Sequence, residues 1–265
     1  MNNMSGRTAL VTGAASGIGL ASAVALASGG ARITLLSLPG DDLKNAQRLC
    51  EEAGAPAVVT IPVDVGDSQA VVGAFAEAEK LLGPIDAVLN NAGISIVAPL
   101  TETTDEIWAK LNQTNLAGSF FVLRESARVM QRNGGGSIVN TASELALIGQ
   151  AGYVAYTATK GAILAMTRSA AAELASWGIR VNAICPGTTR TPMFLREFDG
   201  AIDPEAELAD NEASVALGRI AEPAEIAAAV CFLLSHDASY LTGTHLVVDG
   251  GRTGCVAAGS IGINS

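Results

Sequence analysis

The chain alternates short apolar runs with longer, alanine-rich segments of helical period, and this alternation restricts the fold more than any other feature. The apolar runs are continuous, which is typical of strands that helices cover on both faces and therefore of a parallel sheet. We expect strands at residues 8–12, 32–37, 57–63, 85–91, 136–143, 179–185 and 245–249. We expect helices at residues 17–29, 41–53, 67–82, 104–131, 153–177 and 223–235.

Strands and helices in this order build right-handed βαβ units. We therefore predict an α/β protein with a Rossmann-like, doubly wound, three-layer fold, whose mostly parallel seven-stranded sheet carries helices on both faces. No linker or repeat interrupts residues 1–265, so we expect a single domain. Two segments depart from the pattern: the polar, acidic stretch 188–218, expected to be an irregular substrate loop, and the tail 252–265, whose role the sequence leaves open.

Composition and charge exclude several classes of function. The formal net charge of −10 would repel a nucleic-acid backbone. No signal peptide and no run of about 18 apolar residues is visible, so we expect a cytoplasmic protein without a membrane partner. The histidines, His236 and His245, do not form a metal-binding motif with the cysteines. Four scattered cysteines predict buried thiols in a reducing compartment: Cys50, Cys185, Cys231 and Cys255.

A glycine-rich turn, TGAASGIG, follows the first expected strand and opens the first expected helix. Its glycines are Gly13, Gly17 and Gly19. Glycine lets the backbone turn sharply and approach a pyrophosphate closely, while the helix that follows offers unpaired N–H groups and the positive end of its dipole. The turn therefore predicts dinucleotide binding; the alternative is a turn that needs glycine for packing alone.

The end of the second strand decides between the two nicotinamide dinucleotides. An acidic residue there binds the adenosine ribose 2′-hydroxyl of NAD, whereas a nearby arginine accepts the 2′-phosphate of NADP. Here Ser37 occupies the position, Leu38 follows, and Asp41 and Asp42 come soon after without a neighbouring base. Because an acidic surround disfavours a phosphate dianion, the sequence favours NAD, with NADP as the alternative.

Tyr156 and Lys160 lie four residues apart, so one face of a helix presents both. An ammonium group nearby favours the phenolate, so we expect Lys160 to lower the pKa of Tyr156 from its usual value of about 10. Ser143, at the end of the fifth expected strand, is positioned to donate to a substrate oxygen. Two alternatives stay open here: Ser143 as a strand-end cap, and Asn115 as a helix amide bonded to backbone.

From about residue 5 to residue 251 the chain resembles the short-chain dehydrogenase/reductase family, of the short single-domain type. The motifs that carry the resemblance are TGAASGIG (12–19), DV (64–65), NNAG (90–93), Asn115, Ser143, YTATK (156–160) and PG (186–187). The elements GR, P–EIA, FLLS and TG…VVDGG of the last third also match.

The resemblance implies an NAD(P)-dependent oxidoreductase that interconverts a secondary alcohol and a ketone by hydride transfer. Its catalytic residues would be Asn115, Ser143, Tyr156 and Lys160, with Lys160 also holding the nicotinamide ribose and Asn115 helping to bind a relay water. The expected cofactor site comprises Gly13, Ser16, Gly17, Ile18, Gly19, Ser37, Asp64, Val65, Asn91, Ala92, Gly93, Tyr156, Lys160, Pro186, Gly187, Thr188 and Thr191.

The substrate pocket is expected over the strand ends, in walls that are largely apolar. Its candidate residues are Ser95, Leu145, Tyr153, Met193 and Phe194, which favour a largely apolar ketone or alcohol. The resemblance also implies a homotetramer, with a homodimer as the alternative. Two other functions stay open: a 3-oxoacyl-carrier-protein reductase, which would dock its acidic carrier near Arg128 and Arg132, and a non-catalytic redox sensor that binds a dinucleotide without turnover.

Overall fold

A computed structural model describes residues 3–199 and 203–255 of the chain. Seven strands form one sheet: β1 Thr8–Thr12, β2 Arg32–Ser37, β3 Val58–Pro62, β4 Ala87–Asn90, β5 Gly136–Thr141, β6 Ile179–Pro186 and β7 His245–Val248. Their order across the sheet is β3-β2-β1-β4-β5-β6-β7, and every neighbouring pair is parallel. The predicted fold class, a doubly wound parallel sheet, is confirmed.

Helices cover both faces of the sheet, as the continuous apolar runs predicted. They are α1 Gly17–Ser28, α2 Leu43–Glu52, α3 Ser68–Leu82, α4 Asp105–Leu111, α5 Ser119–Asn133, α6 Val154–Leu174, α7 Pro192–Leu195, α8 Pro204–Ala213 and α9 Pro223–Leu234. Successive residues of β1 contribute to the hydrophobic cores on opposite faces of the sheet. Ala9 and Val11 pack with α1 and α9 on one face, whereas Leu10 packs with α3 and α5 on the other. A strand buried on both sides in this way favours a continuous apolar run, as Ala9, Leu10 and Val11 form here.

The expected long helix over residues 104–131 is not continuous. A π-helical stretch, Asn112–Gly118, separates α4 from α5. Single π-helical turns inside helices are frequent at functional sites. This stretch carries Asn115, a candidate catalytic residue whose side chain is fully buried. Periodicity in the sequence predicts a regular α-helix here and does not reveal the π-helical turn.

The stretch 188–218 is more regular than its composition predicted. It contains α7, a 3-10 turn at Arg196–Phe198 and, within its described part, α8. Thr191 and Asp203 cap the two helices by accepting backbone N–H groups, and a proline occupies the start of each helix. This cap-then-proline arrangement is a normal helix start, so the expectation of an irregular loop was wrong for these residues. Of the tail 252–265, residues 256–265 lie outside the described part of the chain.

The cysteines divide into two groups. Cys50, Cys185 and Cys231 are buried free thiols, as expected, but Cys255 is exposed. It lies beyond the last strand, and the prediction of a buried thiol was wrong at this position. Within residues 3–199 and 203–255, no helix combines the length and the apolar character needed to cross a lipid bilayer.

Parallel pairing places the carboxyl ends of all seven strands at one edge of the sheet. The strand order reverses between β1 and β4, because β2 and β3 lie on one side of β1 while β5 to β7 continue beyond β4. Loops diverge at such a reversal and leave a crevice, which is where open α/β sheets bind their ligands.

Candidate active site

A cleft of about 560 Å³ follows this edge of the sheet. The candidate cofactor residues that line it are Gly13, Ser16, Gly17, Ile18, Ser37, Asp64, Val65, Asn91, Ala92, Gly93, Tyr156, Lys160, Pro186, Gly187, Thr188 and Thr191. Ser143 and the candidate substrate residues Ser95, Leu145, Tyr153, Met193 and Phe194 line it as well. Gly19 and Asn115 are not among the lining residues, and each instead supports the wall from behind.

The glycine turn is shaped by close backbone contacts. Gly13 and Gly17 have φ values of +64° and +55°, in the left-handed region that favours glycine. A Cβ atom at Gly19 would lie 2.1 Å from the Gly13 carbonyl oxygen, so only glycine fits there. The turn thus brings bare backbone to the first turn of α1, which is the cradle that a pyrophosphate requires. These residues fit a dinucleotide.

Thr12 holds the neighbouring NNAG segment in place. Its hydroxyl oxygen accepts the N–H groups of Asn91 and Ala92 at 2.8 and 2.9 Å, and the Asn91 amide donates to the Thr12 carbonyl oxygen at 3.1 Å. The last residue of β1 therefore positions the loop after β4 on the opposite wall of the cleft.

At the far end of the cleft the carboxylate of Asp41 turns back onto the end of β2. One of its oxygens accepts the Ser37 hydroxyl at 2.5 Å and the Leu38 N–H at 3.2 Å. Ser37 itself carries no charge, so the acidic group at the end of β2 comes from Asp41 in the loop that follows. The sequence identified Asp41 only as an acidic neighbour; its return to Ser37 depends on the turn at residues 38–41.

Tyr156 and Lys160 share a face of α6, as predicted, but their pKa values differ from expectation. Burial raises the pKa of Tyr156 to about 12, a hydrogen bond from Ser143 opposes this, and the charges of Glu197 and Glu144 raise it further. Burial lowers the pKa of Lys160 to about 8. The expectation of a lowered tyrosine pKa was therefore wrong for this structure, because the effect of burial on the phenol dominates. The ammonium group donates to the Thr141 carbonyl oxygen, 2.9 Å away.

Ser143 combines the two roles considered for it. Its hydroxyl oxygen accepts the Leu145 N–H at 3.1 Å and so caps the 3-10 turn Glu144–Ala146. The same side chain acts to lower the pKa of Tyr156, against the effect of burial. The cap fixes the position of the serine, which lines the same cleft as the phenol.

Asn115 is the backbone-bonded amide that the alternative predicted. Its oxygen accepts the Ile94 N–H at 2.8 Å, and its nitrogen donates to the Ile94 carbonyl oxygen at 2.9 Å. A Cβ atom at Gly93 would lie 3.2 Å from the Asn115 oxygen and 3.5 Å from the Lys160 nitrogen. Asn115 therefore fixes the loop beside Lys160, and the two polar groups face the same small space.

On the substrate side, Arg252 links three parts of the wall. Its guanidinium donates to Glu144 at 2.6 Å, to Gln150 at 2.7 Å and to Thr188 at 3.2 Å. Glu144 is almost fully buried, and its second carboxylate oxygen has no hydrogen-bond partner among the described residues. Burial raises the pKa of Glu144, and the charge of Arg252 opposes the rise.

Opposite this group, a second polar cluster closes the cleft. The carboxylate of Glu197 accepts the hydroxyl of Tyr153 at 2.6 Å and the hydroxyl of Ser95 at 2.7 Å. The wall is therefore more polar than the sequence predicted, although Leu145, Met193 and Phe194 do line it. Sequence reasoning missed Glu144, Gln150, Glu197 and Arg252 as site residues, because their partners are distant in the chain and no local pattern marks them.

Comparisons with known proteins agree with this geometry. The family model described as Enoyl-(Acyl carrier protein) reductase matches residues 13–253. The galactitol 2-dehydrogenase (L-tagatose-forming) of Cereibacter sphaeroides is 40% identical over 253 residues, covering 94% of this chain and 96% of the relative. The crystal structure of levodione reductase superposes with a TM-score of 0.91 at 34% identity, covering 97% of this chain and 100% of that one. The crystal structure of NAD⁺-bound xylitol dehydrogenase superposes with a TM-score of 0.88 at 36% identity, covering 94% of this chain and 99% of that one.

Fold, cleft and relatives together define an oxidoreductase that uses a nicotinamide dinucleotide and acts on CH–OH groups. The chain belongs to the short-chain dehydrogenase/reductase family. The resemblance inferred from the sequence motifs is thereby confirmed, and with it the interconversion of a secondary alcohol and a ketone.

Proposed function

We propose that Tyr156 transfers the proton in an NAD-dependent interconversion of a small secondary alcohol and its ketone. The observation that carries this proposal is that Ser143, Tyr156 and Lys160 line the same cleft, with Lys160 one helical turn after Tyr156 on α6. Ser143 and Tyr156 would hold the reacting oxygen between two hydroxyl groups. Asn115 acts as a positioning residue through its two bonds to Ile94.

The bound nicotinamide supplies or accepts the hydride. With a pKa of about 12, Tyr156 is protonated at neutral pH and is ready to donate to the oxyanion that ketone reduction produces. The reverse reaction requires the phenol to lose that proton, so alcohol oxidation is expected to accelerate as the pH rises. Lys160 is held in place by the Thr141 carbonyl oxygen, and its nitrogen lies 5.6 Å from the centre of the Tyr156 ring.

The choice of NAD over NADP is supported by Asp41. Its carboxylate lies against the end of β2, where the ribose 2′-hydroxyl is expected, and would repel a 2′-phosphate. A relative of known structure carries NAD⁺. That relative is named for xylitol and another for galactitol, both polyols, and these names favour a hydroxylated substrate over the largely apolar one that the sequence predicted.

The carrier-protein alternative finds little support at the surface proposed for docking. Arg128 pairs with Glu125 at 2.8 Å and Arg132 pairs with Glu79 at 2.9 Å. Because each base is already matched by an acid, the two arginines offer an acidic carrier little net positive charge. The redox-sensor alternative would not need Ser143, Tyr156 and Lys160 assembled in one cleft.

A homotetramer, or alternatively a homodimer, remains a proposal. Large apolar side chains are exposed on α4, α5 and α6, namely Trp108, Phe120 and Val154. Strand β7 is the last strand of the sheet. Covering these surfaces with a second copy of the chain would bury apolar area and pair an open strand edge. The single domain and the cytoplasmic location also remain predictions from the sequence.

The proposed function is tested with Tyr156→Phe, which removes only the hydroxyl. General acid–base catalysis typically contributes about 10²–10⁴-fold, so kcat should fall by that factor. NAD affinity, measured by fluorescence titration of NADH, should change little because the ring remains. Tyr240→Phe, at a fully exposed tyrosine, is the matched control and should behave as the wild type. Undiminished turnover by Tyr156→Phe in a folded protein would overturn the proposal.

A further inference from the structure

The carboxylate of Glu197 accepts hydrogen bonds from two hydroxyl groups. It lies in the 3-10 turn after α7, and its two oxygens accept from Tyr153 and Ser95, at 2.6 and 2.7 Å. Within residues 3–199 and 203–255, no lysine or arginine forms an ion pair with it. A charged acceptor in a ligand cleft is therefore satisfied by neutral O–H donors.

The position of Glu197 connects it with the reacting group. The rings of Tyr153 and Tyr156 meet edge to face with centroids 6.2 Å apart, so Glu197 lies one side chain away from the candidate proton donor. Glu197 and Ser95 line both the main cleft and a neighbouring cavity of about 400 Å³. The side chain therefore borders open space on the substrate side, where an added hydroxyl group can reach it.

A carboxylate offers about four acceptor positions, of which the two protein hydroxyls occupy two. The remaining positions suit a further O–H donor. An uncharged substrate with hydroxyl groups on neighbouring carbons matches this chemistry: one oxygen reacts beside Ser143 and Tyr156, while the next donates to the carboxylate.

We propose that Glu197 is a specificity-determining residue whose carboxylate binds the hydroxyl group adjacent to the reacting carbon, so that the enzyme prefers vicinal diols and polyols. The inference rests on the proposed function, because it assumes that the alcohol reacts at Tyr156. It differs from a purely structural role, in which Glu197 only ties the segment after β6 to Ser95 and Tyr153.

The test compares two alcohols that differ by one hydroxyl group, 2,3-butanediol and 2-butanol, as substrates with NAD. The wild type should show at least a tenfold higher kcat/KM for the diol. Glu197→Gln should lower kcat/KM for the diol by about 30-fold, as expected for loss of a charge-assisted hydrogen bond, and for 2-butanol by less than about threefold. Glu205→Gln, at an exposed glutamate of α8 outside the cleft lining, is the matched control.

Ser95→Ala separates specificity from a structural tie. It removes one protein donor but keeps the carboxylate, so preference for the diol should persist. An equal loss for both alcohols in Glu197→Gln and Ser95→Ala would show that Glu197 is a structural tie, and would overturn the inference. A wild type that prefers 2-butanol, or shows no preference, would do the same.

Binding without turnover keeps this test independent of the proposed function. If neither alcohol is oxidised, the melting temperature of the NAD-containing protein is measured with each one. A larger rise with the diol than with 2-butanol in the wild type, absent in Glu197→Gln, would support the diol site even if the proposed reaction were wrong. Equal shifts in both proteins would overturn it.

Discussion

The two halves of the cleft are built by different means. The cofactor half consists of the glycine turn, the ends of β1 and β2 and the loop after β4, and close approaches of backbone shape it, such as that of Gly19 to the Gly13 carbonyl oxygen. The substrate half is shaped by side chains that meet from distant parts of the chain: Ser95 with Glu197, 102 positions apart, and Glu144 with Arg252, 108 positions apart. We therefore expect recognition of the dinucleotide to depend largely on backbone geometry, and recognition of the substrate to depend largely on side chains.

This difference explains how such a fold accommodates many substrates. A backbone cradle tolerates few changes, because an added atom meets other backbone. A side-chain network can be replaced one residue at a time without altering the sheet, so function changes in loops that a constant scaffold positions. Three further predictions test this contrast, beginning with the largest effect.

The first prediction concerns Gly19→Ala in the cofactor half. The added Cβ would lie 2.1 Å from the Gly13 carbonyl oxygen and 2.9 Å from the Asn91 amide nitrogen. Because backbone must move to relieve the overlap, we expect a loss of about 3 kcal/mol in the free energy of unfolding. Binding of NADH should fall below detection. Urea unfolding and NADH fluorescence measure the two effects.

Gly73→Ala is its matched control. Gly73 lies within α3, and a Cβ atom there would meet nothing within 4 Å. Alanine is the better helix former, so this variant should gain about 0.5–1 kcal/mol. Wild-type stability and NADH affinity in Gly19→Ala would show that the turn is less constrained than its geometry indicates.

The second prediction concerns Arg252→Met in the substrate half. Removing the cation leaves the buried Glu144 carboxylate without its charge partner. Breaking a fully buried ion pair lowers the free energy of unfolding by about 3–5 kcal/mol. Because Arg252 is partly exposed, we expect a loss of about 2 kcal/mol at pH 8. Arg219→Met, which breaks an exposed pair with Glu225, should cost less than about 1 kcal/mol.

The penalty for Arg252→Met should also depend on pH. Burial raises the pKa of Glu144 above its usual value of 4.5, and loss of Arg252 removes the largest opposing effect. The folded variant then holds a proton at pH values where the unfolded chain has released it, so its stability falls as the pH rises above about 4.5. The difference from the wild type should be smaller at pH 5 than at pH 8. A penalty independent of pH would contradict this account.

The third and smallest prediction concerns Asp41→Asn. Neutralising the carboxylate at the end of β2 should raise the ratio of kcat/KM for NADP to that for NAD by about tenfold. Asp42→Asn makes the same charge change one residue away, at the N-cap of α2, where asparagine also caps well. That control should alter the ratio far less. Equal effects of the two variants would mean that net charge, and not the contact with Ser37, sets cofactor choice.

Prediction from sequence succeeded where a local pattern carries the information. The continuous apolar runs gave all seven strands, and the glycine turn, Tyr156, Lys160 and Ser143 were placed in one cleft. It failed where a residue depends on distant partners. The π-helical turn at Asn115 interrupts a segment whose period is helical throughout, and the helices within 188–218 are hidden by a polar, acidic composition.

The pKa of Tyr156 shows the same division. Its spacing from Lys160 is a property of one helix, and the sequence gives it correctly. Its burial, the direction of the ammonium group towards Thr141 and the nearby carboxylates of Glu144 and Glu197 arise only when several strands and loops meet. Because desolvation and charge act through space, a pKa cannot be obtained from neighbours along the chain alone.

The order of residues thus predicted the strands, the dinucleotide turn and the candidate proton-transfer group, since a pattern within a few positions marks each of them. Folding established which charges face that group and which acid lies beside Ser37. The first of these required side chains about a hundred residues apart to come within 3 Å, as Glu197 does with Ser95 and Arg252 does with Glu144. The second required only the turn between Ser37 and Asp41, four residues apart. Electrostatic and hydrogen-bonding energies depend on distance in space, and only the packed sheet sets those distances.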